Sequence, residues 1–244
     1  MEHDNESIRI AIKLYLTNQE LAIETYGHIE EWNVSNVTNM CGMFCGAREF
    51  NQDISQWNVS NVTNMRGMFC GAREFNQDIS QWNVSNVTNM SGMCCNAYKF
   101  NQNISQWNVS NVIGMDGMFY NARNFNQNIS QWNVSNVINM SYMFCDAYEF
   151  NQDISQWNVS NVTNMNQIIN NTKLSALLNK YNHDNKICFN KQIVGHLFSY
   201  KRRKSFIHFL IENGFEPLNN ELTVKNEHKI FDTHDINHHI MSFV

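Results

Sequence analysis

The sequence predicts an α/β solenoid, a stack of 25-residue coils that each carry a short strand and a short helical turn. Trp32, Trp57, Trp82, Trp107, Trp132 and Trp157 lie 25 residues apart and are the only tryptophans among 244 residues. A fixed period of about 20 to 50 residues marks units that cannot bury an apolar face alone and stack on their neighbours. The second observation is that apolar residues recur at the same offsets after every tryptophan, as Val59, Val62, Met65, Met68 and Phe69 do after Trp57. The third is a change of charge: residues 1–165 carry 7 basic and 15 acidic side chains, residues 166–244 carry 10 and 7. That change places a boundary near Met165. Three regions follow: a helical N-terminal cap (1–31), the repeat array (32–165, five full units and one partial) and a helical C-terminal region (166–244).

The cap comes first. Ile8, Ile12, Leu16, Leu21 and Ile23 give residues 6–26 a helical apolar pattern, with a break at Asn18 and an end at Gly27. Each unit then reads W-N-V-S-N-V-T-N-M-x-G-M-F-C-x-A-x-x-F-N-Q-x-I-S-Q. Met65, Met68 and Phe69 fall at i, i+3 and i+4, one face of a helical turn, with Thr63 or Asn64 as its cap. Position 15 of the unit holds Gly46, Gly71, Asn96, Asn121 and Asp146, residue types that tolerate left-handed backbone, so the turn is expected to end there. Phe75 through Trp82 is expected to be extended, one strand per coil in a parallel sheet, with a bend between Ile79 and Trp82. Asn51, Asn76, Asn101, Asn126 and Asn151 recur before that segment. They read as an internal amide ladder rather than as exposed turn residues, because an amide both donates and accepts.

After the array, Leu174, Leu177, Leu178 and Tyr181 suggest a closing helix, and 192–198 and 205–211 two more. The N-terminus lacks the basic start and apolar run of a signal peptide. No stretch approaches the roughly 18 apolar residues of a membrane span. With seven cysteines in no disulfide framework, the expectation is a soluble, reduced, intracellular protein.

The segment Phe50-Asn51-Gln52-Asp53-Ile54-Ser55-Gln56-Trp57-Asn58-Val59-Ser60-Asn61-Val62-Thr63-Asn64-Met65-Arg66-Gly67-Met68-Phe69-Cys70-Gly71-Ala72 resembles the repeat of the BspA-like leucine-rich-repeat surface proteins, a family that includes mycoplasma lipoprotein repeats. The resemblance covers residues 32 to about 165, and Leu21–Ile29 resembles the segment that precedes such arrays. It implies an LRR-like, right-handed solenoid with short strands on one face, and adhesion or partner binding at a cell surface. Phe206–Gly214 resembles the second helix of an ankyrin repeat. The tail 230–244 resembles the opening of an F-box, which implies a ubiquitin-ligase adaptor.

Candidate chemistry is sparse. Cys45, Cys70, Cys95 and Cys145 share one position, with Tyr120 in the remaining slot, and read as small buried hydrophobes. His234, His238 and His239 have i, i+4 metal spacing without the Glu of a zinc protease. Lys201-Arg202-Arg203-Lys204 reads as a solvated helix face rather than a nucleic-acid patch, and Asp53, Asp78, Asn103, Asn128 and Asp153 are no acidic site, two positions being amides. No catalytic constellation, cofactor site or metal site is predicted, nor a small-molecule substrate.

The informative variation lies at three positions. Position 10 reads Cys41, Arg66, Ser91, Asp116, Ser141; position 17 reads Arg48, Arg73, Tyr98, Arg123, Tyr148; position 18 reads Glu49, Glu74, Lys99, Asn124, Glu149. Such changes are incompatible with a packed interior, so these positions are expected to face water. Arg and Tyr are enriched in binding hot spots, which makes Arg48, Arg73, Tyr98, Arg123, Tyr148, Arg66 and Asp116 the candidate contact residues. The function expected is a non-catalytic, monomeric protein-interaction module with a protein partner; an adhesin or a ligase adaptor are the alternatives.

Overall fold

The computed structural model of the protein describes residues 2–154, 156–173, 215–218 and 221–224. Two helices open the chain, α1 (Ser7–Thr17) and α2 (Gln19–Tyr26), followed by a 3-10 turn at Ile29–Glu31. Asp4 Oδ1 accepts from the backbone N–H groups of Glu6 and Ser7 at 3.0 and 2.8 Å, satisfying donors that a helix start leaves open. α1 buries Ile8, Ala11, Ile12 and Tyr15, the stripe that a 3.6-residue period puts on one side. Leu16, expected inside, lies about 100° around the helix from Tyr15 and is 42% exposed; Leu21 is 44% exposed. Asn18 separates the helices, its φ of −152° outside the helical range, and its Oδ1 caps α2 through the Leu21 N–H at 3.1 Å. Gly27 ends α2 at a φ of +80°, where a Cβ is strained.

From Trp32 onward the backbone hydrogen bonds divide by parity. In the first unit the N–H groups of Met40, Gly42, Phe44 and Gly46 donate at 2.7–2.8 Å to Asn64, Arg66, Met68 and Cys70 of the second. The alternate groups, Met43, Cys45 and Ala47, close tight turns onto Met40, Gly42 and Phe44 at 3.0–3.3 Å. The second unit repeats the pattern, with Met65, Gly67, Phe69 and Gly71 donating to Asn89, Ser91, Met93 and Cys95. Parallel bridges join Asn39, Asn64, Asn89, Gly114, Asn139 and Asn164 in one line, and Glu2 bridges Asn33 at the cap.

Each unit fills the interior with the same side chains. In the second these are Trp57, Val59, Val62, Met65, Met68, Phe69, Ala72, Phe75 and Ile79, all buried. Phenylalanines stack along the array: Phe50–Phe75, Phe75–Phe100, Phe100–Phe125 and Phe125–Phe150 have ring centroids 5.9–6.1 Å apart. A second column, Phe44–Phe69 at 5.6 Å, is interrupted by Cys94 and resumes at Phe119–Phe144. The indole N–H groups of Trp57, Trp82, Trp107, Trp132 and Trp157 donate at 2.9–3.2 Å to an isoleucine carbonyl 28 residues earlier, one coil back. A buried indole donor is thereby satisfied in each of these units.

Two local expectations are corrected. The stretch from Met65 to Phe69 is a run of tight turns rather than a helix. Gly67 stands in its middle with a φ of +60°, which an α-helix does not admit. Phe75 through Trp82 is not a strand either; Asp78 Oδ1 folds back on the Ser80 N–H at 2.8 Å and Trp82 N–H closes a turn on Ile79. The asparagine ladder forms, with Asn51 exposed and Asn76, Asn101, Asn126 and Asn151 half-buried: Asn51, Asn76, Asn101 and Asn126 each accept, through Oδ1, the N–H of the equivalent asparagine one unit on, at 2.8–2.9 Å.

In the region expected to be helical, β1 (Phe215–Leu218) and β2 (Glu221–Val224) pair as an antiparallel hairpin with Phe215 opposite Val224. The predicted helices at 192–198 and 205–211, the closing helix from Leu174, Lys201–Lys204, His234, His238, His239 and the 230–244 tail lie outside the described residues.

Candidate functional site

The left-handed residues of each unit aim position 17 outward. Gly46, Gly71, Asn96, Asn121 and Asp146 have φ between 54° and 76°, and two residues later Arg48, Arg73, Arg123 and Tyr148 are exposed and Tyr98 half-buried. The backbone holds the column in register: Glu74, Lys99, Asn124 and Glu149 donate their N–H to the carbonyls of Arg48, Arg73, Tyr98 and Arg123 at 3.0–3.2 Å.

The side chains alternate as cation and ring. The Arg73 guanidinium carbon lies 5.1 Å from the Tyr98 centroid, and that of Arg123 lies 4.2 Å from Tyr98 and 5.8 Å from Tyr148. Tyr98 is therefore held between two guanidinium groups, each contact contributing about 0.5–1 kcal/mol at an exposed site. Arg123 is fixed further by Nε donating to Asn121 Oδ1 at 3.1 Å, while Asn121 Nδ2 donates to Asn96 Oδ1 at 2.7 Å. Those two asparagines were picked from the sequence only for their backbone; that they also position the column depends on the spacing between units. Beside the column, Lys99 pairs with Glu74, and Lys173 pairs with Glu149. Lys173 falls at position 17 of the sixth unit by count but takes the place of position 18: its N–H donates to the Tyr148 carbonyl at 3.0 Å and its ammonium pairs with Glu149.

The structure does not bring position 10 into the same class. Arg66 is exposed, but Asp116 is half-buried and accepts from Ser91 Oγ at 2.6 Å. Ser91 and Ser141 are only 8% and 7% exposed. A serine is small enough to be covered by the neighbouring coil, so variation at this position does not mean exposure. The aspartate column is made of turn caps: the Ser55 and Ser80 N–H groups, bonding the carboxylates of Asp53 and Asp78, hold both carboxyls below the usual aspartate range.

The cysteine position departs from the expected core. Cys145 is buried, Cys70 and Cys95 are half-buried and Cys45 is exposed. Burial pushes the Cys145 thiol up to about 11, whereas hydrogen bonds from Cys95 and then Cys45 pull Cys70 down to about 6. Cys94, which takes the place of a core phenylalanine, is the buried member of the third unit's pair.

Among the described residues no group of three or more His, Cys, Asp or Glu side chains is placed to hold a metal ion, and no helix is long and apolar enough to cross a membrane. No curated protein and no solved structure matches the chain. One family does, over residues 14–124 and 103–197, which together span most of the sequence. The matched residues take in the tryptophan-marked units, and the chain belongs to the Mycoplasma proteins of unknown function, DUF285.

Proposed function

We propose that this chain is a non-catalytic protein-interaction module, an LRR-like, right-handed solenoid of the BspA-like kind, its coils built of tight turns and single bridges, that offers its Arg/Tyr column to a protein partner. The observation that carries the reading is the alternation Arg73–Tyr98–Arg123–Tyr148, ordered by guanidinium–ring contacts and exposed apart from the half-buried Tyr98. The core beneath it is repeated almost unchanged, while this line and its neighbour at position 18 vary from unit to unit. Tyr and Arg held in one geometry lose little side-chain entropy on docking, which favours a surface built from them. The non-catalytic part rests on the repeated polar side chains: the amides and Asp carboxylates bond the backbone of their own or an adjacent coil.

The test is partner capture by the full chain, compared with Arg73→Ala/Tyr98→Ala. Capture is expected to fall at least tenfold, since two anchors contribute roughly 2 kcal/mol or more each, while unfolding free energy falls by no more than about 1–2 kcal/mol, the two guanidinium–ring contacts that are removed. Capture that survives this variant but is lost on substitutions in 181–244 would move recognition off the array.

A further inference from the structure

The face at positions 17 and 18 carries a charge of its own. Arg48, Arg73, Lys99 and Arg123 are four of the five basic side chains in residues 32–165, one from each of four consecutive coils. Coils paired by backbone hydrogen bonds lie about 4.8 Å apart, so these cations form a line. Lys99 is neutralised by Glu74, and Lys173 by Glu149. Those pairs occupy two of the three carboxylates at position 18. Among the described residues none of Arg48, Arg73 and Arg123 is in an ion pair, and all three are exposed. Two of the forks are nevertheless held in place. Arg73 and Arg123 close on the Tyr98 ring from the coils before and after it, at 5.1 and 4.2 Å, and Arg123 Nε is fixed on Asn121 Oδ1 at 3.1 Å.

We propose that the partner meets this column through a linear acidic peptide segment, its carboxylates paired with Arg48, Arg73 and Arg123; the proposal rests on the interaction-module reading above. A guanidinium fork matches a carboxylate with two parallel hydrogen bonds, and such charge-assisted pairs are about twice as strong as neutral ones. Ordering the forks on Tyr98 before the partner arrives lowers the entropy lost on docking. In an extended segment alternate side chains lie about 6.6–6.8 Å apart. That spacing falls between the single coil from Arg48 to Arg73 and the two coils from Arg73 to Arg123, a difference that flexible Glu side chains take up. Nucleic acid fits less well. A single strand needs open ring faces for its bases, and those of Tyr98 are taken by Arg73 and Arg123. Residues 1–165 also carry 15 acidic against 7 basic side chains. That excess repels a long polyanion, whereas a short segment lies within about 8 Å, one screening length, of the local cations.

Fluorescence anisotropy of labelled decaglutamate, titrated with the full-length protein at pH 7, tests the assignment. Decaglutamate is expected to bind and to weaken as salt is raised, and Arg73→Gln/Arg123→Gln should raise its Kd about tenfold or more. Arg73→Lys/Arg123→Lys keeps the charge and removes the fork, so it should give a smaller loss; it also keeps the test decisive if the Gln pair disturbs the fold. Labelled decalysine and a thymidine decamer should bind about tenfold more weakly than decaglutamate or not at all. No binding of decaglutamate, an unchanged Kd in both double variants, or tighter binding of the thymidine decamer would overturn the proposal. Any of these results, with Arg73→Ala/Tyr98→Ala still losing partner capture, strikes the acidic class and leaves the interaction reading standing. Capture that also survives that variant strikes both.

Discussion

The N-terminal cap and the repeat array satisfy the same backbone groups in opposite ways. In α1 and α2 the amides bond within their own helix, and the ends are closed locally by Asp4, Asn18 and Gly27. In the array every second amide between Met40 and Gly46 reaches into the next unit, and the indole of Trp57 reaches one coil back. A helix can lose its neighbour and keep its ladder. A coil that loses the following unit loses half of its ladder, and one that loses the preceding unit loses the bond of its tryptophan. Stability in the array is thus a property of pairs of units, whereas in the cap it belongs to the element.

Removing one indole probes that contrast most severely. Trp82→Ala is expected to lower unfolding free energy by roughly 3–5 kcal/mol, as for a large core aromatic, measured by denaturant melting. A loss below about 1 kcal/mol would show that the columns of Trp and Phe carry little of the pairing energy. The cap counterpart is smaller: Asn18→Ala removes the cap of α2 and is expected to cost about 1 kcal/mol, read in the same melts.

A gain of similar size is expected from the fifth unit. Tyr142 and Gln167 take left-handed backbone, φ of 58° and 52°, at the position where four units have glycine. Tyr142→Gly should raise stability by up to about 1 kcal/mol, since a left-handed non-glycine residue costs roughly 1–2 kcal/mol and glycine's extra unfolded-state entropy offsets part of the gain. Because Tyr142 is exposed, little packing is lost. A variant less stable than the parent would mean that the ring contributes more than its backbone costs.

The smallest effect appears only in mild acid, where cap and array meet. His3 is buried against Tyr26 and Trp32, with ring centroids 5.8 and 5.2 Å away, and neither ring nitrogen has a hydrogen-bond partner. Burial lowers its pKa below the ordinary 6.5. Below pH 6.5 the unfolded chain therefore binds a proton that the folded chain refuses, and stability falls with pH until the folded pKa is reached. The lowered carboxyls of Asp4, Asp53 and Asp78 act below their ordinary 3.8, outside this window, and the Cys70 thiol, lowered to about 6, is kept out of it by making the comparison in a Cys70→Ser background. His3→Phe should flatten the slope between pH 7 and 5. An unchanged slope would place the acid sensitivity elsewhere.

Much of the register was legible before any coordinates. The buried positions of the unit follow from apolar side chains that change across the five full units only at Cys94, and the left-handed backbone at position 15 follows from a column of Gly, Asn and Asp. The left-handed backbone at position 11 was obscured by Tyr142 and Gln167, which break the glycine pattern. Met65, Met68 and Phe69 suggested a helix because overlapping tight turns also return side chains to one side every three or four residues. Only the φ of Gly67 separates the two. At the site, exposure of Arg73 and Arg123 was readable as variation, but their closure onto Tyr98 was not. That contact depends on the distance between coils, which no single unit encodes. Ser91 and Ser141 show the limit of the argument from variation: a small side chain varies freely and is still covered.

The one-way ladder from Met40, Gly42, Phe44 and Gly46 into the following unit also fixes how the protein responds to load. Pulled from its two ends, such a stack presents its coils to the force one after another, each gripped by a similar set of bonds to a similar neighbour. Extension should proceed as a sawtooth of nearly equal peaks. Each released coil of 25 residues adds about 80–90 Å of contour at roughly 3.3–3.6 Å per residue. The third coil, where Cys94 interrupts the phenylalanine column, is where the sawtooth should dip.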